Sequence, residues 1–525
     1  MKWSTKCCVL ILAATMISLT LRVPRLAQRP LHCDEAVHAD RFGTLLEKGV
    51  YEYDPDEYHG PTLNYFTLIP AWLGSVKSLG EASEFTIRIV PVFFGVAVVL
   101  MLLLVTDAMG PKAAALAALL TAISPAMVFY SRYYIMEMLL VCFTFGAIVS
   151  GYRYAKSRRV GWAVSTGIFL GLMHASKETC VIAYGAMFLS LVLVLLFKRE
   201  KHGVAGALKQ VKGSHVLLGL AVAIIVSVLF FSSFMTHPKG VIDSIRTYTT
   251  YLDRAHNNGV HDHAWHYYLS MLMFFRFGSG PIWTEGAIVL LAVVGFVAAV
   301  LGRPVKQGNL SFLRFVAFYT VIMIVIYSAI PYKTPWCVLG FLHGMILLAG
   351  LGAVTLVGLV PNVLPRLVIT LLLFEACVHL CWQAYLGSYK YCSDSRNPYV
   401  YAHTTDEVFD VVSRVGRYAD VHPLGRALPM SVICAEDDYW PLPWYLRAYS
   451  EVGYYNAVPE NAADASVILV SSQYEGELTR RLFELTPVKK RRMYMYLFDD
   501  PYYVWLRPGI KLSGFVTREL WELWD

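Results

Sequence analysis

The stretch "MKWSTKCCVLILAATMISLTLRVPRLAQRPLHCDEAVHAD" (residues 1–40) decides the fold. An apolar run flanked by Lys2, Lys6 and Arg22 leads directly into acids and histidines. It reads as a retained membrane anchor rather than a cleaved signal, because no small-x-small site follows at the right place. Either way, the acids beyond it lie on the far side of the membrane. Asp34, Glu35, Asp40, Glu47, Glu52, Asp54, Asp56 and Glu57 then gather before Pro61, with His32, His38 and His59 among them.

The same alternation of apolar runs and short basic clusters continues down the 525 residues, of which 56% are hydrophobic and 16% charged. That balance excludes an ordinary soluble domain and predicts a polytopic α-helical membrane protein. About eleven spans of near ~20 residues are expected, at 7–22, 85–108, 112–130, 133–155, 160–176, 179–197, 215–235, 283–302, 311–330, 336–357 and 366–387. The net charge of +7 is no sign of a nucleic-acid partner. Its basic residues cluster before the first span, at Lys156, Arg158 and Arg159, in "KREKHGVAGALKQVKGSH" (198–215), in "GRPVKQ" (302–307) and at Arg366. All share one side if the N-terminus is cytoplasmic. The cysteines show no CxxC pair, and no disulfide pairing follows from their spacing.

This orientation makes 23–84 and 236–282 external loops. Residues 1–388 form a membrane domain and 389–525 an extracytoplasmic domain. The tail loses the long apolar runs. Helical period in "TTDEVFDVVSRVGRYAD" and "EGELTRRLFEL" alternates with strand-like "MSVICAED", "ASVILVSS" and "RRMYMYLF", which suggests a small α/β domain. No internal repeat is evident, which weakens an inverted-repeat transporter.

Several ionisable residues break the membrane pattern near the external side: Arg88, Arg132, Glu137, Lys177, Glu178 and Lys333. Each, taken singly, suits a structural ion pair. As a set, the cations suit an anionic headgroup beside a general base. In the first loop, Asp34, His38 and Arg41 share one helical face. Phe42, Leu45 and Leu46 suit a face lying on the bilayer. Acids at a helix start are also ordinary dipole compensation. In "HNNGVHDHAWHYY" (256–268), His256, His261, Asp262, His263 and His266 leave open a divalent metal, with His261, His263 and His266 as ligands, a donor-phosphate contact, or plain loop structure.

The motifs "CDEAVHA", "YHGPTLNYF", "TIRIVPVFFG", "SRYYIMEMLL", "SKET" and "YKTPWC" occur in that order. Together they resemble the GT-C glycosyltransferases of the protein O-mannosyltransferase and aminoarabinose transferase type. The tail motifs "NPYVYAHTTDEV" (397–408) and "YWPLPWYLR" (439–447) bring the chain nearer to a branch of archaeal and bacterial flippase-activity-associated proteins of surface N-glycosylation. The resemblance implies a GT-C fold in the cytoplasmic (inner) membrane, an external active site, a polyprenyl-phosphate sugar donor and inverting transfer to a glycan, lipid or protein acceptor of the cell envelope. It implies that Asp34 is the catalytic carboxylate, a general base or acceptor-orienting group, with Glu35 its partner. Arg132, Lys177, Lys333 and Arg88 would hold the donor phosphate, supported by His38, His59, Glu137 and Glu178. His59 stands where the aminoarabinose transferases carry a lysine. Trp440, Trp444 and Tyr445 suit either stacking on a glycan or, more simply, docking of the tail onto the membrane domain. The alternative functions are a flippase or its accessory, which needs no base, and an envelope-assembly scaffold.

Overall fold

The computed structural model describes residues 5–56, 59–197, 211–254, 261–302 and 308–524, the side chains of 251–254 excepted. Glu57, Tyr58, His256 and most of the two basic loops at 198–215 and 302–307 lie outside the described residues.

Among the described residues, eight helices are long and apolar enough to cross a membrane: Thr5–Arg22, Glu84–Met109, Glu137–Ser157, Cys180–Phe197, Gly213–Phe231, Leu310–Ala329, Pro335–Leu359 and Val363–Lys390. Three shorter apolar helices, Pro111–Ile123, Val160–His174 and Gly286–Val300, fall on the remaining expected segments. Small residues let the helices meet closely. Ala113, Ala114, Ala117 and Ala118 are buried on one helix, and Gly344, Gly350 and Gly352 on its neighbour. Close backbone approach is how helices gain packing where lipid removes the hydrophobic drive.

The first external loop folds into the helices Cys33–Lys48 and Thr62–Leu73. The first begins with a capping box: the His32 ring accepts the Asp34 N–H, and the Glu35 carboxylate accepts the His32 N–H. Its acids sit in the first turn, where the helix dipole favours them. Phe42 and Leu45 are buried inside the protein, and Leu46 packs beside them. They do not form the bilayer-facing side expected of them, because the loop has the Thr62–Leu73 helix and Leu79 to pack against.

The tail carries a six-stranded mixed sheet. Its strands are β1 (Met430–Ile433), β2 (Val452–Tyr455), β3 (Val467–Ser471), β4 (Tyr494–Tyr496), β5 (Tyr503–Arg507) and β6 (Ile510–Thr517). β1 runs parallel to β2 and β3, and β6 is antiparallel to β3, β4 and β5. Strands β1 and β3 are buried throughout, as expected of parallel strands covered on both faces. The tail then clamps the first loop from above. Thr404 donates to the Leu31 carbonyl (2.6 Å), the Leu31 N–H donates to Tyr445 (2.8 Å), and Arg507 donates to the Cys33 sulfur (2.8 Å).

Candidate active site

Asp34 and Glu35 are neighbours with opposite environments. Glu35 is fully buried. Its Oε1 accepts from Arg29 Nη2 (2.8 Å), Arg88 Nε (2.9 Å) and the Tyr134 N–H (2.8 Å). Its Oε2 accepts from Arg88 Nη2 (2.8 Å) and the His32 N–H (3.0 Å). Burial works to raise this carboxyl, but Arg29 and Arg88 outweigh it and hold it well below the usual carboxylate range. A carboxylate so enclosed takes up no proton from a substrate. Glu35 is therefore a positioning residue and not the catalytic partner expected. Arg88 is corrected with it. Its other N–H groups go to the carbonyls of Leu26 (2.6 Å), Arg29 (2.8 Å) and Pro30 (3.1 Å), leaving nothing for a phosphate.

Asp34 faces the other way, with its side chain 46% exposed. Its Oδ1 stands 3.5 Å from His32 Nδ1. That nitrogen already accepts the Asp34 N–H (3.1 Å), while His32 Nε2 lies 3.1 Å from the Tyr401 carbonyl and donates to it. Burial pushes His32 down, so the ring is neutral. Among the described residues no cationic side chain pairs with Asp34. A carboxylate on a fixed helix start, open to solvent on one side, can accept a proton.

Below the loop lie two further ion pairs. Lys177 bonds Glu137, both buried. His59 Nδ1 lies 2.8 Å from Glu178 Oε2, and Tyr53 donates to Glu178 Oε1 (3.2 Å). Burial works to raise Glu178, and His59 overrides it and lowers it. Gly60 makes this join possible: a Cβ there would sit 2.2 Å from the Ala175 carbonyl oxygen. Its N–H and that of Thr62 bond the Ser176 and Ala175 carbonyls, zipping the loop to the Lys177 turn. The His38 ring stands 6.1 Å from His59. Burial, reinforced by His59, pushes His38 down to about 3.

A narrow groove is lined at one end of its helices by Lys177 and Glu137. It runs between the helices Glu137–Ser157, Cys180–Phe197, Leu310–Ala329 and Leu339–Leu359, over Leu140, Phe145, Met323 and Leu347. Trp336 lines it and also stands 5.8 Å from the His32 ring. Trp336 thus links the His32 ring, beside Asp34, to the groove.

The remaining expected site residues serve structure. Arg132 donates to the carbonyls of Arg22 (2.7 Å), Pro24 (2.7 Å) and Arg25 (3.1 Å) and to Tyr389 (3.2 Å), clamping the end of the first span rather than a phosphate. Lys333 is buried, with its ammonium on the carbonyls of His263 (3.0 Å) and Ile330. Desolvation lowers it, and it ties down the 261–263 loop instead of holding a phosphate. His261 bonds Tyr401 (2.6 Å), His263 stacks on Tyr267 (4.2 Å) and His266 bonds Ser270 (2.9 Å). Each ring is taken up by a different partner, so the metal reading of the three is corrected. Among the described residues no three His, Cys, Asp or Glu side chains group as a metal site. Trp444 is buried, donating to Glu84 (2.9 Å) beneath Arg447 (3.8 Å to the ring). Tyr445 is spent on Leu31, and the Trp440 carbonyl accepts from the Cys33 thiol (3.5 Å). These residues dock the tail; Trp444 and Tyr445 offer no face to a glycan.

Sequence reasoning missed Arg29, Tyr401, His403 and Arg507. Arg29 bridges Glu35, His403 Nε2 (3.0 Å) and the Tyr133 ring (4.3 Å). Arg29 stands in the same external loop as the acids, and that placement was its one available signal.

A bundle of apolar helices with an acid-bearing external loop, an intramembrane groove and a mixed-sheet tail defines a class of membrane protein. Residues 67–231 match the family model described as dolichyl-phosphate-mannose-protein mannosyltransferase. The structure is similar to ArnT from Cupriavidus metallidurans bound to undecaprenyl phosphate (TM-score 0.63, 14% identity, 99% of each chain). It is also similar to the oligosaccharyltransferase AglB from Archaeoglobus fulgidus in complex with an inhibitory peptide and a dolichol-phosphate (TM-score 0.55, 13% identity, 90% of this chain and 70% of that). No curated protein matches in sequence. The fold of the chain is that of the GT-C glycosyltransferases.

Proposed function

We propose that this protein is a membrane glycosyltransferase that moves a sugar from a polyprenyl-phosphate donor to an extracytoplasmic acceptor with inversion. The observation that carries the reading is Asp34: an open carboxylate on a rigid helix start, joined through His32 and Trp336 to a groove lined by Lys177. The apolar groove suits the first isoprene units of a lipid. Lys177 suits its phosphate, exchanging the Glu137 carboxylate for the phosphate oxygens. Similarity of fold to structures bound to undecaprenyl phosphate and dolichol-phosphate supports this ligand class.

In this reading Asp34 accepts the proton of an acceptor hydroxyl or amide. The freed electron pair attacks the anomeric carbon, and the bond from that carbon to the phosphate oxygen breaks. Polyprenyl phosphate leaves, and Lys177 stabilises the charge that grows on it. With Glu35 locked, one displacement by the acceptor, and hence inversion, is the simplest course. The acceptor is a glycan, lipid or protein of the envelope. The N-terminus is cytoplasmic, the protein is integral to the cytoplasmic membrane, and residues 389–525 form the external domain.

The test uses purified protein reconstituted with radiolabelled polyprenyl-phosphate sugars and an envelope extract as acceptor. Wild-type protein transfers label and Asp34→Asn binds donor without transferring it. Full transfer by Asp34→Asn would refute the assignment and favour a flippase, which needs no base.

A further inference from the structure

The helix Lys239–Arg254 is built inside out. Its side chains turned into the protein are polar: Asp243, Ser244 and Thr247 are 3%, 2% and 1% exposed. Its outward face carries two large apolar side chains, Ile242 (70% exposed) and Ile245 (68% exposed), beside exposed Lys239, Arg246 and Thr249. A helix beside water buries its apolar stripe and exposes its polar one. Large apolar side chains turned outward among cations suit the surface of a bilayer.

Its position says which medium. Gly240 presses on the end of the Gly213–Phe231 span, where a Cβ would lie 2.1 Å from the Phe231 carbonyl oxygen. The helix therefore starts flush with the membrane boundary. The lipid-facing surface of that span, with Leu217, Leu220, Ile224 and Ile225 exposed, continues through exposed Phe234 and Met235 to Ile242 and Ile245. Lys239 and Arg246 are exposed on the same helix, as cations at headgroup level would be.

We infer that Lys239–Arg254 lies on the outer leaflet of the bilayer, with Ile242 and Ile245 in the acyl region and Lys239 and Arg246 at the phosphates. The polar face then acts on the site. Thr247 donates to the Pro55 carbonyl (2.9 Å) and Thr250 to Asp56 Oδ1 (2.9 Å). Tyr248 stacks on His174 (6.3 Å between centroids) and its hydroxyl meets the Cys180 sulfur (3.8 Å). His174 and Cys180 bracket the turn that carries Lys177 and Glu178. The bilayer surface, through this helix, sets the height at which those charges meet a lipid headgroup.

The test is fluorescence quenching of full-length protein in phosphatidylethanolamine–phosphatidylglycerol vesicles, with plain or brominated acyl chains. Ile242→Trp and Ile245→Trp each add emission over the wild-type baseline. The inference expects that added emission to be lost in brominated lipid and unaffected by aqueous iodide. Glu477→Trp, at an exposed position of the tail helix Glu475–Arg480, should show the opposite. Iodide quenching without bromine quenching at 242 and 245 would place the helix in water and overturn the inference. Quenching by neither would mean that a second copy or another protein covers it, which overturns it equally.

Discussion

Replacing Glu35 with Gln changes one atom and tests the division of labour between the paired acids. The Glu35 carboxylate accepts five hydrogen bonds, three of them from Arg29 and Arg88. An amide cannot balance two buried guanidinium groups. Wherever its NH₂ points it meets donors: Arg88 and the His32 N–H on one side, Arg29, Arg88 and the Tyr134 N–H on the other. Breaking a buried ion pair by removing one partner costs about 3–5 kcal/mol, because the other charge is left uncompensated. Asp34→Asn should cost far less, since Asp34 is half-exposed and pairs with no cation among the described residues. Thermal unfolding in detergent, followed with a thiol-reactive dye, reads both. Cys7, Cys142, Cys180, Cys392 and Cys434 are free and buried and report opening of the chain. Glu35→Gln should unfold well below wild type and Asp34→Asn close to it. Equal midpoints for Glu35→Gln and wild type would refute the argument that Glu35 is the lock. So would a loss in Asp34→Asn as large as in Glu35→Gln.

Lys177→Ala should weaken polyprenyl-phosphate binding about ten- to hundredfold, the ~1.5–3 kcal/mol of one charge-assisted contact. Glu137→Gln, which releases Lys177, should bind at least as tightly as wild type; equilibrium binding of a fluorescent lipid phosphate checks both. Trp444→Ala removes a buried ring and its bond to Glu84. It should cost about 3–5 kcal/mol, and limited proteolysis should then release the tail. His38 titrates near about 3 in the fold, against an ordinary value of ~6.5 in the unfolded chain. Between those values only the unfolded chain binds the proton, so stability is full above about pH 6.5 and falls by ~1.4 kcal/mol per unit as pH drops. His32 and His403 are lowered too and act in the same direction. His38→Gln should flatten the fall in unfolding midpoint between about pH 6.5 and 5.

The membrane architecture was legible because lipid imposes a simple rule of length and apolarity. The eight long helices and three short ones fall on the segments read from composition. The helix at Asp34 and the strands β1, β3 and β4 were legible from local pattern. Strand β2 was not, since "EVGYY" is short and broken by Gly453. The β5–β6 hairpin lay hidden in "YVWLRPGIKLSGFVT", where polar residues interrupt the alternation. The inverted helix at Lys239 was unreadable without knowing which of its faces meets protein. Among the site residues, the sequence marks charge out of place but not what satisfies it. Arg88, Arg132 and Lys333 look alike as misplaced cations, yet each is consumed by carboxylate or carbonyl oxygens that arrive from distant segments. Asp34 differs from Glu35 only in the direction its side chain leaves the helix, which the capping box sets once the loop is folded.

The most direct measurement is the pool of polyprenyl-phosphate sugars in a strain lacking this protein, quantified by mass spectrometry together with the glycans of the cell surface. Complementation with wild-type protein should draw the donor pool down and restore the surface modification. Complementation with Asp34→Asn, present in the membrane at wild-type abundance, should leave the donor accumulated and the acceptor unmodified. Restoration of both by Asp34→Asn would contradict the claim that this carboxylate performs the transfer.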